Sequence, residues 1–415
     1  APRRDAALSG LACALMLTIG METLPYVAML GLWVAASFAF QFVSRQKAGA
    51  FGLGLASATL ALYPALVAPS QWADRACDAF SSFHLALALC GGIGLAVSTL
   101  SSHRGMQWTL LGVTAVAGVS VLVGFFPHCL ANPLADLPPL LREFWLEGVV
   151  ETRSAFDILR SDPFSLIGFF AMPIIALLLC AGAVARRFKP VVASLFCALL
   201  ATAIAVTVWQ QRGFLFAAVL AIIPMTLAVT RARLSYQLYQ KPPALAAMAL
   251  AWMVSINPLW FITSAELAGA FSSAPTLQEQ IASADRRDFC YDPSLYAVLT
   301  GEEDAVVLSS TNVGPMILAH TEHRAIAGPY HRNIAGNLMM IEAMISDPGE
   351  ARKRLMMHGI THIADCLADP DARDFTRAAP TGFQAQLHRD HSQFTWLELI
   401  PETSDTPLRL FRVVY

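Results

Sequence analysis

Long apolar runs alternate with short polar breaks over the first 264 residues of the chain. A helix of about 20 mostly apolar residues spans the hydrocarbon core of a bilayer, and somewhat shorter helices do so when long polar side chains flank them. The pattern therefore predicts nine transmembrane helices. They cover approximately residues 6–21, 24–43, 48–67, 80–99, 106–126, 163–183, 188–209, 213–230 and 243–264.

Pro25 divides the long apolar stretch that contains the first two predicted helices, so one kinked helix is an alternative to two helices there. The breaks rich in Lys and Arg favour two helices. Such residues in short loops resist translocation and mark the cytoplasmic side, and with nine crossing helices these breaks all fall on that side. The tail from Ser264 then lies outside the cytoplasm. The basic breaks contain Arg3, Arg4, Arg45, Lys47, Arg104, Arg186, Arg187, Lys189, Arg231, Arg233 and Lys241.

The pattern changes after the ninth apolar run, where short strands and helices alternate. This alternation predicts two domains, a transmembrane domain at 1–264 with a long extracytoplasmic loop at 127–162, and a small extracytoplasmic α/β domain at 265–415. Its sheet is expected to be partly parallel. Predicted strands are 305–309, 324–327, 360–365, 395–400 and 408–414, and predicted helices are 315–320, 334–345 and 349–358.

The composition excludes several classes of protein. Of the 415 residues, 56% are hydrophobic and 14% are charged, against about 45–50% and 25% in soluble globular proteins. The first predicted partner is therefore the lipid bilayer. A net charge of −2 without a basic domain argues against nucleic acid as a partner. The sequence also lacks a P-loop, a dinucleotide glycine fingerprint, a G-x-S-x-G elbow, paired C-x-x-C motifs and an H-E-x-x-H motif.

Four of the eight cysteines fall on the predicted outer side, where an oxidising compartment lets disulfides persist. We predict a disulfide between Cys77 and Cys129, which would join two outer loops, and a second between Cys290 and Cys366 in the tail. Spacing does not give connectivity. Four unpaired cysteines therefore remain the alternative.

The long outer loop is the first candidate for function, because loops of more than about 12–15 residues are usually functional or disordered. Its segment 138–151 predicts an amphipathic helix on the membrane surface. Carboxylates on the polar face could bind a divalent metal or orient an acceptor, and a solvated acidic face is the alternative. The apolar face holds Leu141, Phe144, Trp145 and Val149, and the polar face holds Glu143, Glu147 and Glu151.

A tight turn at Gln211 and Arg212 is the second candidate. A guanidinium at the outer end of two helices can form bidentate hydrogen bonds with phosphate oxygens at the depth of the lipid headgroups. The alternative is an ordinary interfacial arginine beside Trp209 of the aromatic belt. Glu22, beside Pro25, occupies another outer helix end and is either a ligand or a surface carboxylate.

The third candidate is the segment 311–333 of the tail. Asn312 lies in the sequence TNVGP, which follows a strand and opens a helix, so backbone N–H groups there could hold an anion or a polar group of a substrate. The sequence GPYHRN ends the next strand and predicts a polar binding rim. We interpret His320 and His323 as structural. The rim residues are Tyr330, His331, Arg332 and Asn333.

Asp369-Pro370-Asp371 resembles a metal-binding acidic pair. The proline and the neighbouring alanine, arginine and aspartate residues fit a turn at a helix start better. We therefore interpret this acidic pair as structural.

These features together resemble the C-terminal two-thirds of a GT-C glycosyltransferase, in particular the catalytic-subunit type of oligosaccharyltransferase and its bacterial relatives. The resemblance covers essentially the whole chain through its order of spans, long loop, four further spans and outer α/β tail. The stretches that carry it are GMETLP at 20–25, CDA at 77–79, the segment 145–151, Gln211-Arg212, TNVGP at 311–315 and GPYHRN at 328–333.

The resemblance implies transfer of a sugar from a polyprenyl-phosphate donor to an extracytoplasmic acceptor, in the inner membrane of a bacterium. Glu151 or Glu147 would stand where the family places a glutamate near the acceptor, and Arg212 would help to bind the phosphate. Mg²⁺ or Mn²⁺ would stabilise the leaving phosphate. TNVGP begins where the family has a Trp-Trp-Asp motif, which this chain lacks, so the acceptor stays open.

In the family, the catalytic aspartates come from outer loops ahead of the matched region. The chain begins Ala1-Pro2-Arg3-Arg4, without an initiator Met or the pattern of a signal peptide. We therefore expect an N-terminally truncated fragment that is inactive by itself, with about four spans and the metal ligands missing. Two other functions compete with a transferase. One is a non-catalytic component of polysaccharide or envelope assembly; the other is a transporter, which the scarcity of ionisable residues within the spans makes the weakest.

Overall fold

The computed structural model describes residues 2–130, 137–271, 290–302 and 304–415. Parts of the predicted outer loop and tail, at 131–136 and 272–289, lie outside the described residues. The chain forms two compact units. The helical unit comprises Ala1–Asp136 and Arg153–Ala268, and the C-terminal unit comprises Leu137–Thr152 and Gly269–Tyr415. The sequence places the whole long loop with the spans, whereas the structure groups Leu137–Thr152 with the C-terminal unit.

The chain is mostly helical as far as residue 271. Pro25 lies in the first turn of the second helix, where proline needs no N–H partner, and a 3₁₀ turn at Met21–Thr23 separates this helix from the first. The prediction of two helices at this point is confirmed. The helices are α1 Pro2–Ile19, α2 Leu24–Ala39, α3 Arg45–Leu66, α4 Ser82–Ser98, α5 Arg104–Phe125, α6 Pro139–Phe144, α7 Ala155–Ser161, α8 Ser165–Ala185, α9 Pro190–Trp209, α10 Phe214–Tyr239, α11 Pro242–Ser255 and α12 Asn257–Phe271.

Six helices of the described residues are long and apolar enough to cross a membrane, which makes the chain a multi-pass membrane protein. They are α2 with the preceding turn, α3, α5, α8, α9 and α10 with the preceding turn. They match six of the nine predicted spans. Of the others, α1 begins with Arg3, Arg4 and Asp5, and α4 is 17 residues long.

The predicted ninth span is not one continuous helix. It is divided into α11 and α12, which are bent by 78° relative to each other at a break around Ile256. Pro258 is the physical reason, because proline cannot donate the backbone hydrogen bond that a continuing helix requires and its ring clashes with the carbonyl four residues earlier.

Glycines allow the backbones of α3 and α4 to touch. A Cβ atom built on Gly92 would lie 2.6 Å from the Gly52 carbonyl oxygen, and one built on Gly52 would lie 2.4 Å from the Gly92 carbonyl oxygen. Small residues permit such close helix contacts in membranes, where packing rather than hydrophobic burial drives association. These two glycines therefore fix the distance between the two helices.

The C-terminal unit contains a five-stranded sheet of order β2-β1-β3-β5-β4. Strands β2, β1 and β3 run parallel to one another, while β5 is antiparallel to both β3 and β4. The prediction of a partly parallel sheet is confirmed. The strands are β1 Val306–Ser309, β2 Arg324–Ala325, β3 His362–Cys366, β4 Leu397–Leu399 and β5 Leu408–Val413, and the helices are α13 Gly314–His320, α14 Ile334–Ile345, α15 Pro348–Met357, α16 Pro370–Ala378 and α17 Phe383–Arg389.

Both predicted cysteine pairs are bonded in the structure. Cys77–Cys129 lies in the helical unit and Cys290–Cys366 in the C-terminal unit. Cys290 and Cys366 are buried in the core that supports the sheet. This second bond therefore ties the segment before β1 to the end of β3.

A buried network of charges joins β3, β5 and α17. The Asp365 carboxylate accepts hydrogen bonds from Arg409 Nη2, His388 Nε2 and Gln384 Nε2, each at 2.8 Å. Asp365 and Arg409 face each other across the antiparallel pair of strands. Burial by itself would raise the pKa of Asp365, but the hydrogen bonds and positive charges of His388 and Arg409 hold it below its ordinary value.

The segment 138–151 does not form the predicted single amphipathic helix. Helix α6 ends at Phe144, and two 3₁₀ turns follow at Leu146–Gly148 and Val150–Thr152. Gly148 and the β-branched Val149 and Val150 are poor helix formers. Leu141 is buried and the Phe144 ring lies 5.5 Å from that of Phe375 in α16, so the apolar side packs on the C-terminal unit.

Candidate functional site

An ion pair joins two helix starts in the helical unit. Arg212 Nη1 lies 3.1 Å from Glu22 Oε1, although 190 positions separate the two residues in the sequence. Both side chains are partly exposed, Arg212 to 38% and Glu22 to 49%. The structure therefore brings together two residues that the sequence picks out separately.

The turn that carries Arg212 is held independently of this ion pair. Arg212 Nε donates a 2.9 Å hydrogen bond to Oε1 of the buried Gln210, and the Gln211 N–H donates to the Arg153 carbonyl at 2.9 Å. Gly213 is required here, because a Cβ atom would lie 2.7 Å from the Thr207 nitrogen. The guanidinium is thus held in place by its own turn.

Two aromatic rings stack one helical turn further along α2 and α10. Tyr26 follows Glu22 by four residues, Phe216 follows Arg212 by four, and their ring centroids are 4.6 Å apart. The side-chain oxygen of Gln211, a predicted ligand, is buried and has no hydrogen-bond partner among the residues that the structure describes. The stacked rings therefore hold the starts of α2 and α10 together. The Gln211 side-chain oxygen lies in the same turn as Arg212 and could accept a hydrogen bond from a ligand.

The three glutamates of the long loop do not share one helical face. Glu143 belongs to α6, whereas Glu147 and Glu151 belong to separate 3₁₀ turns. All three side chains are exposed. The prediction that they form one acidic stripe is wrong, because the helix that would align them ends at Phe144.

The TNVGP loop of the C-terminal unit is held by the acidic pair at the start of α16. Thr311 Oγ1 donates to Asp371 Oδ2 at 2.6 Å, and Asn312 Nδ2 donates to Asp369 Oδ1 at 3.3 Å. Ser310 Oγ also donates to Asp369. Asp369 caps the helix by accepting from the Asp371 N–H at 2.9 Å. The structural interpretation of this pair agrees with the geometry, and the long-range bonds add that it fixes Asn312.

TNVGP and GPYHRN meet at one edge of the sheet. They follow the parallel strands β1 and β2, and the carboxyl ends of such strands are where α/β proteins bind ligands. Gly314 makes the approach possible, because a Cβ atom there would lie 1.9 Å from the Ala327 carbonyl oxygen. Tyr330, His331 and Arg332 are exposed at this edge.

Asn333 stabilises the loop after β2 through a side-chain hydrogen bond. Its Nδ2 atom donates to the Ile326 carbonyl at 2.8 Å, one turn from the buried Asn337. Asn337 accepts from the Gly328 N–H at 3.0 Å and donates to the Gly328 carbonyl at 2.9 Å. Sequence reasoning missed Asn337. A lone amide among the apolar residues of α14 is the signal that could have found it.

The two histidines interpreted as structural differ in their surroundings. His323 is buried, where Nδ1 accepts from the Ala305 N–H at 3.2 Å and Nε2 donates to the Leu299 carbonyl at 2.6 Å. Its structural role is confirmed. His320 is exposed at the end of α13, with its ring 6.1 Å from that of Tyr296.

The described residues do not supply a ligand set suited to Mg²⁺ or Mn²⁺. Among them, the one group of three potential ligands close enough for an ion is Cys77, His128 and Cys129. The two sulfurs of this group are bonded to each other. Hard cations also prefer oxygen ligands.

The raised pKa of Asp371 predicts that the stability of the C-terminal unit depends on pH. Burial and the charge of Asp369 raise its pKa from 3.8 to about 7. A carboxyl whose pKa is raised on folding stabilises the folded state at low pH, and this stability is lost as the pH rises from 3.8 to about 7. Asp371→Asn cannot ionise and can still accept from Thr311. We expect it to raise the free energy of unfolding at pH 8 by about 1–2 kcal/mol.

Thermal unfolding of the wild type and Asp371→Asn between pH 4 and 8 would measure this gain. Asp405→Asn, which removes an exposed carboxylate from the same unit and does not act on the pKa of Asp371, is the control. Parallel curves for the wild type and Asp371→Asn across the whole range would contradict the prediction.

The fold defines a polytopic helical membrane protein with a C-terminal α/β domain. It is similar to the archaeal oligosaccharyltransferase AglB from Archaeoglobus fulgidus in complex with an inhibitory peptide and a dolichol-phosphate, with a TM-score of 0.54 and 14% identity over 87% of this chain and 48% of that chain. The apo form of an oligosaccharyltransferase from the same organism gives a TM-score of 0.50 and 13% identity over 88% and 48%.

The chain spans about half the length of these two proteins. At this level of identity the likeness concerns the fold alone. No protein-family model and no curated protein sequence matches the chain.

Proposed function

We propose that the chain acts in a membrane glycosyltransferase that takes its sugar from a polyprenyl-phosphate carrier. The observation that carries this proposal is the likeness of fold, over 87% of the chain, to an oligosaccharyltransferase whose structure contains dolichol-phosphate. The proposed location is the inner membrane of a bacterium. The acceptor is extracytoplasmic and of unspecified chemistry.

Arg212 is the residue proposed to bind the phosphate of the carrier. Its guanidinium lies at the start of α10, a helix long and apolar enough to span the membrane, and helix starts lie near the headgroups. Gln210 and Glu22 engage Nε and Nη1. Arginine has five N–H donors in a planar fork, so Nη2 can still donate to a phosphate oxygen.

The acceptor is proposed to bind at the edge of the sheet where TNVGP and GPYHRN meet. Tyr330, His331 and Arg332 offer hydroxyl, imidazole and guanidinium groups there, and Asp369 fixes Asn312 beside them. Glu147 and Glu151 are proposed to act on the acceptor side. A divalent metal would neutralise charge on the leaving phosphate, but the described residues do not form its site, and no step here depends on it.

Arg212→Ala tests the proposal directly. We expect the purified chain in lipid nanodiscs to bind undecaprenyl phosphate, and Arg212→Ala to bind it about tenfold to a hundredfold more weakly, because a charge-assisted hydrogen bond contributes about 1.5–3 kcal/mol. Native mass spectrometry would measure the bound fraction. Arg104→Ala, at the start of α5, is the matched control and should bind like the wild type.

Undecaprenol, which lacks the phosphate, sets the background. Binding of undecaprenol and undecaprenyl phosphate to the same extent would contradict the proposal. So would equal binding of undecaprenyl phosphate by the wild type and Arg212→Ala. Either result would favour a non-catalytic role in envelope assembly.

A further inference from the structure

Glu22 has no assigned task at the phosphate site proposed for Arg212. Its carboxylate faces the guanidinium from the start of another helix, with 3.1 Å between Oε1 and Nη1. About half of the Glu22 side chain is exposed. A phosphate that binds Arg212 is therefore repelled by the neighbouring Glu22 carboxylate.

Glu22 could either position the Arg212 guanidinium or compete with a phosphate for it, and the contacts around Arg212 distinguish these two roles. Arg212 is already held by Gln210 through Nε, and its turn is anchored by the bond from Gln211 to Arg153 and by the tight fit at Gly213. Partly exposed ion pairs also contribute little to stability. The guanidinium thus keeps its position without Glu22. What Glu22 adds is mainly a fixed negative charge.

We propose that Glu22 is the competing anion of the phosphate site. It neutralises Arg212 when the site is empty, and it moves away when a lipid phosphate binds. The inference rests on the function proposed above. After the sugar has been transferred, the ion pair between Glu22 and Arg212 forms again and promotes release of the polyprenyl phosphate.

The same charge gives the site a preference between carriers. Repulsion between the carboxylate and a ligand grows in proportion to the ligand's charge, and it is stronger in a partly buried site than in bulk water. A diphosphate carries more negative charge than a monophosphate. Glu22 therefore selects for a monophosphate carrier and against a diphosphate carrier.

Glu22→Gln is the test, because it keeps the size of the side chain and removes the charge. In nanodiscs we expect this variant to bind undecaprenyl phosphate about tenfold more tightly than the wild type, and undecaprenyl diphosphate with a larger gain. Glu22→Asp retains the charge and should show no gain. Glu266→Gln removes an exposed carboxylate from α12 of the same unit and is the matched control.

The double variant Glu22→Gln with Arg212→Ala completes the cycle. It should bind as weakly as Arg212→Ala alone, because the competition needs the guanidinium. If Arg212→Ala binds weakly but Glu22→Gln binds no more tightly than the wild type, the inference is overturned and the proposed function stands. Equal gains for the two carriers would overturn the preference. Equal binding by the wild type and Arg212→Ala would remove the proposed function, and the inference with it.

Discussion

Asp365→Asn should lower the free energy of unfolding of the C-terminal unit by about 3–5 kcal/mol, because removing one partner of a buried ion pair leaves the other charge uncompensated. Asp365 is 3% exposed and Arg409 lies 2.8 Å from it across the sheet. The amide oxygen of asparagine can still accept from His388 and Gln384, which both bond to Oδ1, whereas Arg409 loses its carboxylate partner at Oδ2. Asparagine preserves the shape of the side chain, so the loss reports on charge.

Chemical denaturation followed by tryptophan fluorescence would measure this loss. Asp304→Asn is the control, because its pair with Arg324 is exposed and should contribute less than about 1 kcal/mol. The lowered pKa of Asp365 adds a second readout: its contribution is present above the ordinary value of 3.8 and is lost as the pH falls through the folded value. Replacing both Asp365 and Arg409 with apolar residues should recover much of the stability. A loss no larger than that of Asp304→Asn would contradict the role of the network.

Gly92→Ala should destabilise the helical unit by about 2–3 kcal/mol, because overpacking a tight contact forces the backbone to shift. The added Cβ would lie 2.6 Å from the Gly52 carbonyl oxygen and 3.0 Å from the Ala56 Cβ. Neither neighbour can move as a flexible side chain would. The two helices would have to separate.

Gly91→Ala is the matched control, one position away in the same helix. A Cβ atom there would have nothing within 4 Å, and alanine stabilises a helix by up to about 1 kcal/mol relative to glycine. Thermal unfolding in detergent should therefore separate the variants, with Gly91→Ala at or above the wild type and Gly92→Ala below it. Similar melting temperatures for the two variants would show that the helices do not touch here.

Features encoded by one run of residues could be predicted from the sequence. Apolar length located the six helices that qualify as spans, and Pro25 located a helix start. The predicted strands agree with the five observed strands to within a few residues. For α16 the sequence predicts only the start, at Asp369-Pro370-Asp371, and it predicts no helix over α17, because both helices are short and rich in polar residues. The sequence predicts an unbroken ninth span, because the apolar residues continue through the break before Pro258.

The candidate site shows where such reasoning ends. Glu22 and Arg212 were each identified, but their contact joins residues 190 positions apart and depends on how the helices pack. Asp369 was correctly interpreted as part of a helix start. Its bond to Asn312 depends on the parallel pairing of β1 and β3, which no local pattern specifies. Glu143, Glu147 and Glu151 do not lie on one helical face, because the helix that their spacing predicts ends at Phe144 and the segment with Gly148 and two valines follows as 3₁₀ turns.

Gly314 also bears on how relatives of this protein can be found. With 1.9 Å between its hypothetical Cβ and the Ala327 carbonyl oxygen, no other residue is compatible with this meeting of two loops. A distant sequence that shares the arrangement must keep glycine at this position, at the start of the helix that follows the first strand of its C-terminal domain. Where overall identity is too low to align, that single constraint, coupled with an asparagine in the place of Asn337, gives a search pattern grounded in backbone geometry.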